Sequence, residues 1–300
     1  MLPSFIDSSF TSRVEYEAWV KEQGPRGAVL VAWFGAGNTK EVTQRSLAPL
    51  LDAVREADIA DTLPLYLAHE YPECPTWDAY VTRMIELIDQ QFPARPLFLF
   101  GFSAGAQPAY AVAHRLGARV LKLVIAASRP TFNVSARAPG SGDESFGSIS
   151  PEAFAQLPRE EHLQGLVDAW APNLRTFTNH KPERWPKGVA DIVDQFVQLC
   201  SLPFYPGWAA IAHSLYGGRG PSISAPILVV SGEGEEPKGE RPEKMEGWSE
   251  LTTDSSKCEL VTIAGMGHMN LLQRDRATKR CEAVDLIVAR LTQASQHAAK

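Results

Sequence analysis

The sequence predicts an α/β protein: a mostly parallel, doubly wound sheet carrying an inserted helical segment. Three observations predict it. Short apolar runs recur along the chain, they alternate with stretches of helical period, and one long interval, residues 131–222, carries no core strand. The runs are continuously apolar rather than alternating, as expected for strands covered on both faces in a parallel sheet. Alternation of such strands with helices gives the doubly wound arrangement.

The elements follow in order. Ser12 with Glu15 makes a capping-box pattern ahead of an N-terminal helix. Ala28–Phe34 (AVLVAWF) reads as a buried strand ending in the glycine-rich turn GAGN, and Leu63–Ala68 (LPLYLA) as a second strand. Trp77, Tyr80, Val81, Met84, Ile85 and Ile88 fall on one helical stripe. Pro96–Gly101 (PLFLFG) is a strand that leads through a short turn into the helical stretch AQPAYAVAHRLG, and Val120–Ala127 (VLKLVIAA) is the next strand. Residues 131–222 then open on a polar, glycine- and serine-rich stretch. Ser150–Pro151–Glu152 follows as a helix start with proline in the first turn. Helical patterns rich in Trp, Phe and Pro come next, and the segment reads as a helical lid inserted between core strands. Pro226–Ser231 (PILVVS) and Cys258–Ala264 (CELVTIA) complete the sheet, and Cys281, Val284, Ile287, Val288 and Leu291 mark a last helix. Residues 1–300 are expected to form a single domain, because an α/β core of about 200–250 residues plus an insertion accounts for the length.

Composition narrows the function classes. The formal net charge is −6, and no Lys/Arg run exceeds two residues, which argues against nucleic acid or an anionic membrane as the main partner. The four cysteines, Cys74, Cys200, Cys258 and Cys281, form neither a CxxC pattern nor a Cys/His cluster, so neither structural zinc nor a disulfide framework is expected. No apolar run approaches the ~18 residues of a membrane span. The first residues carry neither a basic n-region nor an apolar h-region. The expectation is a reduced, cytoplasmic protein without metal or organic cofactor.

The chemistry concentrates at Gly101–Phe102–Ser103–Ala104–Gly105, a GxSxG pattern with a strand running in and a helix running out. Such a strand–turn–helix setting presents a serine above the sheet edge on a strained backbone, with a helix N-terminus favouring negative charge nearby. A serine hydroxyl needs an adjacent base to act as a nucleophile at neutral pH. His268, in the loop Gly265–Met266–Gly267–His268 after the last strand, is placed to be that base. The third member should follow the penultimate strand, where the chain reads Gly232–Glu233–Gly234–Glu235–Glu236–Pro237 and holds no Asp. Glu235, by its spacing from Gly232, and Glu236 are the alternatives. An oxyanion hole needs two backbone N–H groups. Ala104 should give one, and Gly35 or Ala36, after the first strand, the other. Trp170, Trp185, Phe204 and Trp208 in the lid are candidates for an apolar acyl pocket.

Assembled, these motifs resemble the α/β-hydrolase superfamily. Within it they resemble the stand-alone type II thioesterases of polyketide and non-ribosomal peptide assembly lines. That family shows a strand ending in FPYAGG, then GHSMG, a Ser-Gly-Arg-rich turn after the next strand and a late GGHFFL. The equivalents here are WFGAGN from Trp33, GFSAG from Gly101, AASRPT from Ala126 and GMGHMNLL from Gly265. Trp248, followed by Leu251-Thr252-Thr253, is similar to the Trp and Thr that precede the last strand in that family. The family's LPGRE-like segment is replaced here by LAHEYPECP, and its usual Asp by Glu. Where integrated thioesterase domains place their Asp, this chain has Ala127 and Ser128. The resemblance implies hydrolysis of an acyl thioester or ester borne on an acyl-carrier protein or CoA. Two alternatives stay open: an acyltransferase or macrocyclase using a nucleophile other than water, and a catalytically silent binding protein.

Overall fold

The computed structural model describes residues 27–298 apart from 36–39, 68–70, 72, 129, 131–157, 159–220, 235–244, 269 and 276. Among the described residues six strands form one sheet: β1 (Ala28–Trp33), β2 (Ala60–Leu65), β3 (Leu97–Phe102), β4 (Val120–Ala126), β5 (Ile227–Gly232) and β6 (Cys258–Ile263). All pair in parallel, in the order β2-β1-β3-β4-β5-β6. Four described helices flank it: α1 (Lys40–Glu56), α2 (Trp77–Gln91), α3 (Ala106–Leu116) and α4 (Glu282–Ala298).

Strand alternation sorts the apolar side chains into two cores. Val29, Val31, Trp33, Leu97, Leu99, Leu123 and Ile125 pack with α2, α3 and Trp248 on one face. Leu30, Ala32, Phe98, Phe100, Val124 and Val230 pack with α1 and α4 on the other. Successive residues of a strand point to opposite faces, so burying both faces requires the uninterrupted apolar runs seen in the sequence. The helix α3 is enclosed: Ala106 through Ala113 are all buried, which explains its small residues. Thr76 caps α2 by accepting from the Ala79 N–H at 3.1 Å.

Two features differ from the sequence expectation. The second strand occupies Ala60–Leu65, not Leu63–Ala68. Its limits are set by pairing with β1, from Ala60 opposite Ala28 to Leu65 opposite Trp33. As an edge strand it carries partly exposed residues at its start and tolerates Pro64, so its apolar signal is displaced toward the C-terminal end. The helix α1 was not among the stripes singled out. Its buried stripe of Thr43, Leu47, Leu50, Leu51 and Val54 is interrupted by Pro49, which has no N–H to give the Arg45 carbonyl. The N-terminal capping box at Ser12 and Glu15 and nearly all of the lid lie outside the described residues.

The strand order reverses between β1 and β3: the chain leaves β1 toward β2 on one side, and β3 lies on the other. Loops leaving the two strands at such a switch point diverge and open a crevice at the C-terminal edge of the sheet. Gly35 follows β1 and Ser103 follows β3, so the topology brings them together there. No described helix is long and apolar enough to cross a membrane.

Candidate active site

Ser103 sits at the tip of β3 with φ +52°, the left-handed region that a residue with a Cβ seldom occupies. It is half-buried and begins a 3₁₀ turn, Ser103–Gly105, that runs directly into α3. The two glycines of GxSxG are needed for contact rather than for φ. A Cβ on Gly101 would lie 2.4 Å from the Ala106 Cα, and one on Gly105 would lie 2.7 Å from the Trp33 carbonyl oxygen. The turn therefore packs its backbone against α3 on one side and β1 on the other. The serine between them takes up the strain.

Gly35 is buried against this turn: a Cβ there would meet the Ser103 Cβ at 3.2 Å and its Oγ at 3.6 Å. The backbone after β1 thus lies close against the Ser103 side chain. Ala104 is the first residue past the serine in the 3₁₀ turn. Ala36 lies outside the described residues.

His268 is 2% exposed. Its ring packs on the Phe102 ring with centroids 5.1 Å apart, and Phe102 also stacks on Phe34 at 4.5 Å. Phe34 and Phe102, which sequence reasoning passed over, form a wall linking the Gly35 loop, the Ser103 turn and the histidine. The signal was available, since each immediately precedes a residue of interest. Asn270 is a second residue missed. Its Oδ1 accepts from the Gly267 N–H at 2.7 Å and fixes the loop just before His268. An Asn three residues after Gly267 is the local pattern that marks such a turn.

The loops after β5 and β6 are joined. The Glu233 N–H donates to the Ile263 carbonyl at 2.9 Å, and the Gly234 N–H to the Met266 carbonyl at 2.8 Å. The Glu233 carboxylate accepts from the Gly265 N–H at 3.1 Å, where Gly265 turns with φ +67°. Glu233 is thereby committed to shaping the histidine loop. Glu235 and Glu236 lie outside the described residues, and they follow directly on Gly234, which is bonded to that loop. Trp170, Trp185, Phe204 and Trp208 also lie outside them. Gly232 presses on the same loop: a Cβ there would stand 2.3 Å from the Met266 oxygen and 2.6 Å from its carbonyl carbon. Gly232→Ala is expected to displace the His268 loop and lower kcat roughly 100-fold, the cost of about 1 Å of misplacement. Steady-state assays alongside a thermal melt check this.

Behind Ser103, the position after β4 is also strained, with Ala127 at φ +51°. The Trp248 indole N–H donates to the Ser128 carbonyl at 2.7 Å and packs edge-on to Tyr110. The Trp248 singled out in the sequence is thus a fully buried brace between α3 and the end of β4. Burial pushes the Cys258 thiol up to about 11, so it stays protonated. Among the described residues no three His, Cys, Asp or Glu side chains converge as a metal site.

Comparison with known proteins accords with this geometry. Residues 45–190 match the family described as Thioesterase domain. Three solved structures share the fold across most of both chains. A meta-cleavage product hydrolase from Pseudomonas fluorescens IP01 has a TM-score of 0.59 at 14% identity, over 91% of this chain and 92% of that one. A serine hydrolase from Cycloclasticus zankles, a bacterium that degrades polyaromatic hydrocarbons, has a TM-score of 0.57 at 15% identity, over 87% and 88%. RedJ, solved with a polyethylene glycol molecule in its active site, has a TM-score of 0.52 at 18% identity, over 89% and 92%. No curated protein matches the sequence. By its sheet order and these likenesses the chain has an α/β-hydrolase fold, and residues 45–190 of it are similar to a thioesterase domain.

Proposed function

We propose that the protein hydrolyses an acyl thioester through Ser103, with His268 as the base. The observation that carries this reading is the Ser103 turn: a strained, half-buried serine at a topological switch point, flush against Gly35 and joined to the His268 ring through Phe102. Strain of this kind costs roughly 1–3 kcal/mol and persists only where the surrounding structure enforces it.

In this mechanism His268 takes the Ser103 proton as Oγ attacks the thioester carbonyl carbon. The negative charge moves to the carbonyl oxygen, where the backbone N–H groups of Ala104 and of Gly35 or Ala36 receive it. Collapse breaks the carbon–sulfur bond. The thiol leaves with the proton held by His268, and Ser103 remains acylated. Water, deprotonated by His268, then attacks the acyl-enzyme, and the free acid departs as Oγ regains its proton. Glu235 or Glu236 would orient the imidazole from the loop that Gly234 ties to the histidine loop. Trp170, Trp185, Phe204 and Trp208 would line the acyl pocket. The thioesterase-domain match favours thioesters over simple esters, on the type II assembly-line pattern.

A fluorophosphonate probe tests the reading. It is expected to label wild type stoichiometrically at Ser103 and to label His268→Ala at least about 10³-fold more slowly, because the unassisted hydroxyl is a poor nucleophile. An unlabelled, well-folded wild type would overturn it. Product analysis with an acyl thioester should give free acid, and an ester, amide or ring would instead mark a transferase.

A further inference from the structure

The sheet ends on two strands that are protected unequally. At β2 the outer edge is guarded: Pro64 has no N–H to offer a further strand, and Asp61 and Thr62 are tied to Arg95 and Arg55. At the other end β6 keeps unbroken register with β5 from Cys258 to Ile263, carries no proline, and has no described element beyond it. An edge of this kind offers its free N–H and C=O groups to another strand. Leu260 lies opposite Val229, hence on the α3 face, and at 38% it is the one large apolar side chain that is exposed among the described residues. On the α4 face a groove of about 550 Å³ adjoins the same strand. Val261, Ile263 and Leu286 give it an apolar side, and Asp275, Glu282 and Asp285 an acidic one.

Charge along this edge says what would pair with it. At the Ile263 end, Arg280 is held by Asp285, and Glu282 has no ion pair among the described residues. At the Cys258 end, Arg290 is held by Glu259, and Lys257 makes only a 3.7 Å contact to Asp254 with both side chains nearly half exposed. An antiparallel strand laid on β6 must thus bring a positive group to Glu282 and a negative one to Lys257. A second copy of β6 brings both. With a two-fold axis at Leu260, the two leucines face each other. Lys257 of each copy then falls opposite Ile263 of the other, the residue that shares the groove with Glu282. We infer that the protein dimerises through β6, two copies pairing antiparallel about Leu260 so that their six-stranded sheets become one. Backbone bonds hold the edge, Leu260 is buried against its counterpart, and a Lys257–Glu282 pair in each direction fixes the register. The inference does not depend on the reaction at Ser103.

Sedimentation of the full chain tests this. Wild type is expected to associate as a dimer with a dissociation constant of about 10 μM or below. Leu260→Lys sets two like charges face to face and should weaken association at least about tenfold. Lys257→Glu and Glu282→Lys should each weaken it roughly threefold to tenfold, since either one turns both ion pairs into repulsions. Mixed in equal amounts, those two variants should recover wild-type affinity as a heterodimer, because each pair again joins opposite charges. All three side chains are exposed, and recovery in the mixture shows that both charge variants are folded. A dimer that Leu260→Lys leaves intact, or a mixture that associates no better than its components, would overturn the inference. So would a wild type still monomeric at about 1 mM, whether hydrogen exchange then finds the β6 amides covered by another segment of the chain or open to a different protein.

Discussion

Ser103→Ala is expected to lower kcat by about 10⁴-fold or more while leaving the fold intact. The alanine keeps the Cβ and so keeps the same strained backbone; only the Oγ that would attack the carbonyl is lost. Triad residues act as a unit, so losing the nucleophile alone forfeits nearly all of their contribution. Ser103→Gly should be equally inactive but should not share the strain. Relief of a positive φ amounts to about 1–2 kcal/mol, less some 0.4–1 kcal/mol for the greater freedom of glycine in the unfolded chain. The glycine variant is therefore expected to melt at or slightly above the alanine variant. Paired thermal melts and single-turnover assays with an acyl thioester check both halves. A serine variant that retains wild-type turnover would show that another residue does the chemistry.

Gly101→Ala is expected to have the largest effect on stability, about 3 kcal/mol or more. The added methyl would stand 2.4 Å from the Ala106 Cα, 2.5 Å from the Gly105 oxygen and 2.7 Å from the Ala106 nitrogen. All three are backbone atoms, so no side chain can rotate away. The enclosed helix α3 would have to move off β3, disturbing a core in which Ala106, Ala109 and Tyr110 are almost fully buried. Overpacking a rigid core typically costs 1–3 kcal/mol, and a clash with backbone alone exceeds that range. Gly105→Ala should behave similarly, because its Cβ would meet the Trp33 carbonyl at 2.7–2.8 Å. Urea unfolding of purified variants measures the loss. Stability within about 0.5 kcal/mol of wild type would refute the contact argument.

Much of this architecture was legible because parallel strands buried on both faces must be apolar throughout. Five of the six strands fall within a residue or two of their apolar runs. The sixth was read three residues late, since an edge strand is defined by its hydrogen-bonding partner and not by burial. The helix α1 escaped notice for a related reason: its apolar stripe is sparse, and Pro49 resembles a terminator. At the site, Ser103 and His268 were visible as motifs. The roles of their neighbours were not, because Phe34, Phe102 and Asn270 act through packing and a turn bond that no pattern encodes.

By itself, then, the sequence determined the fold class and singled out Ser103 and His268 as candidates, because continuous apolar runs and a strand–turn–helix glycine pattern each have few physical solutions. Only the tertiary structure decided what the glycines of GxSxG do. They admit the backbones of α3 and β1, and the serine rather than a glycine bears the left-handed conformation. Only the fold commits Glu233 to the turn at Gly265 and leaves β6 at the unguarded end of the sheet with Leu260 exposed. Local pattern reports what one segment prefers. Contacts made across the switch point depend on where the sheet order places segments that are distant in the chain.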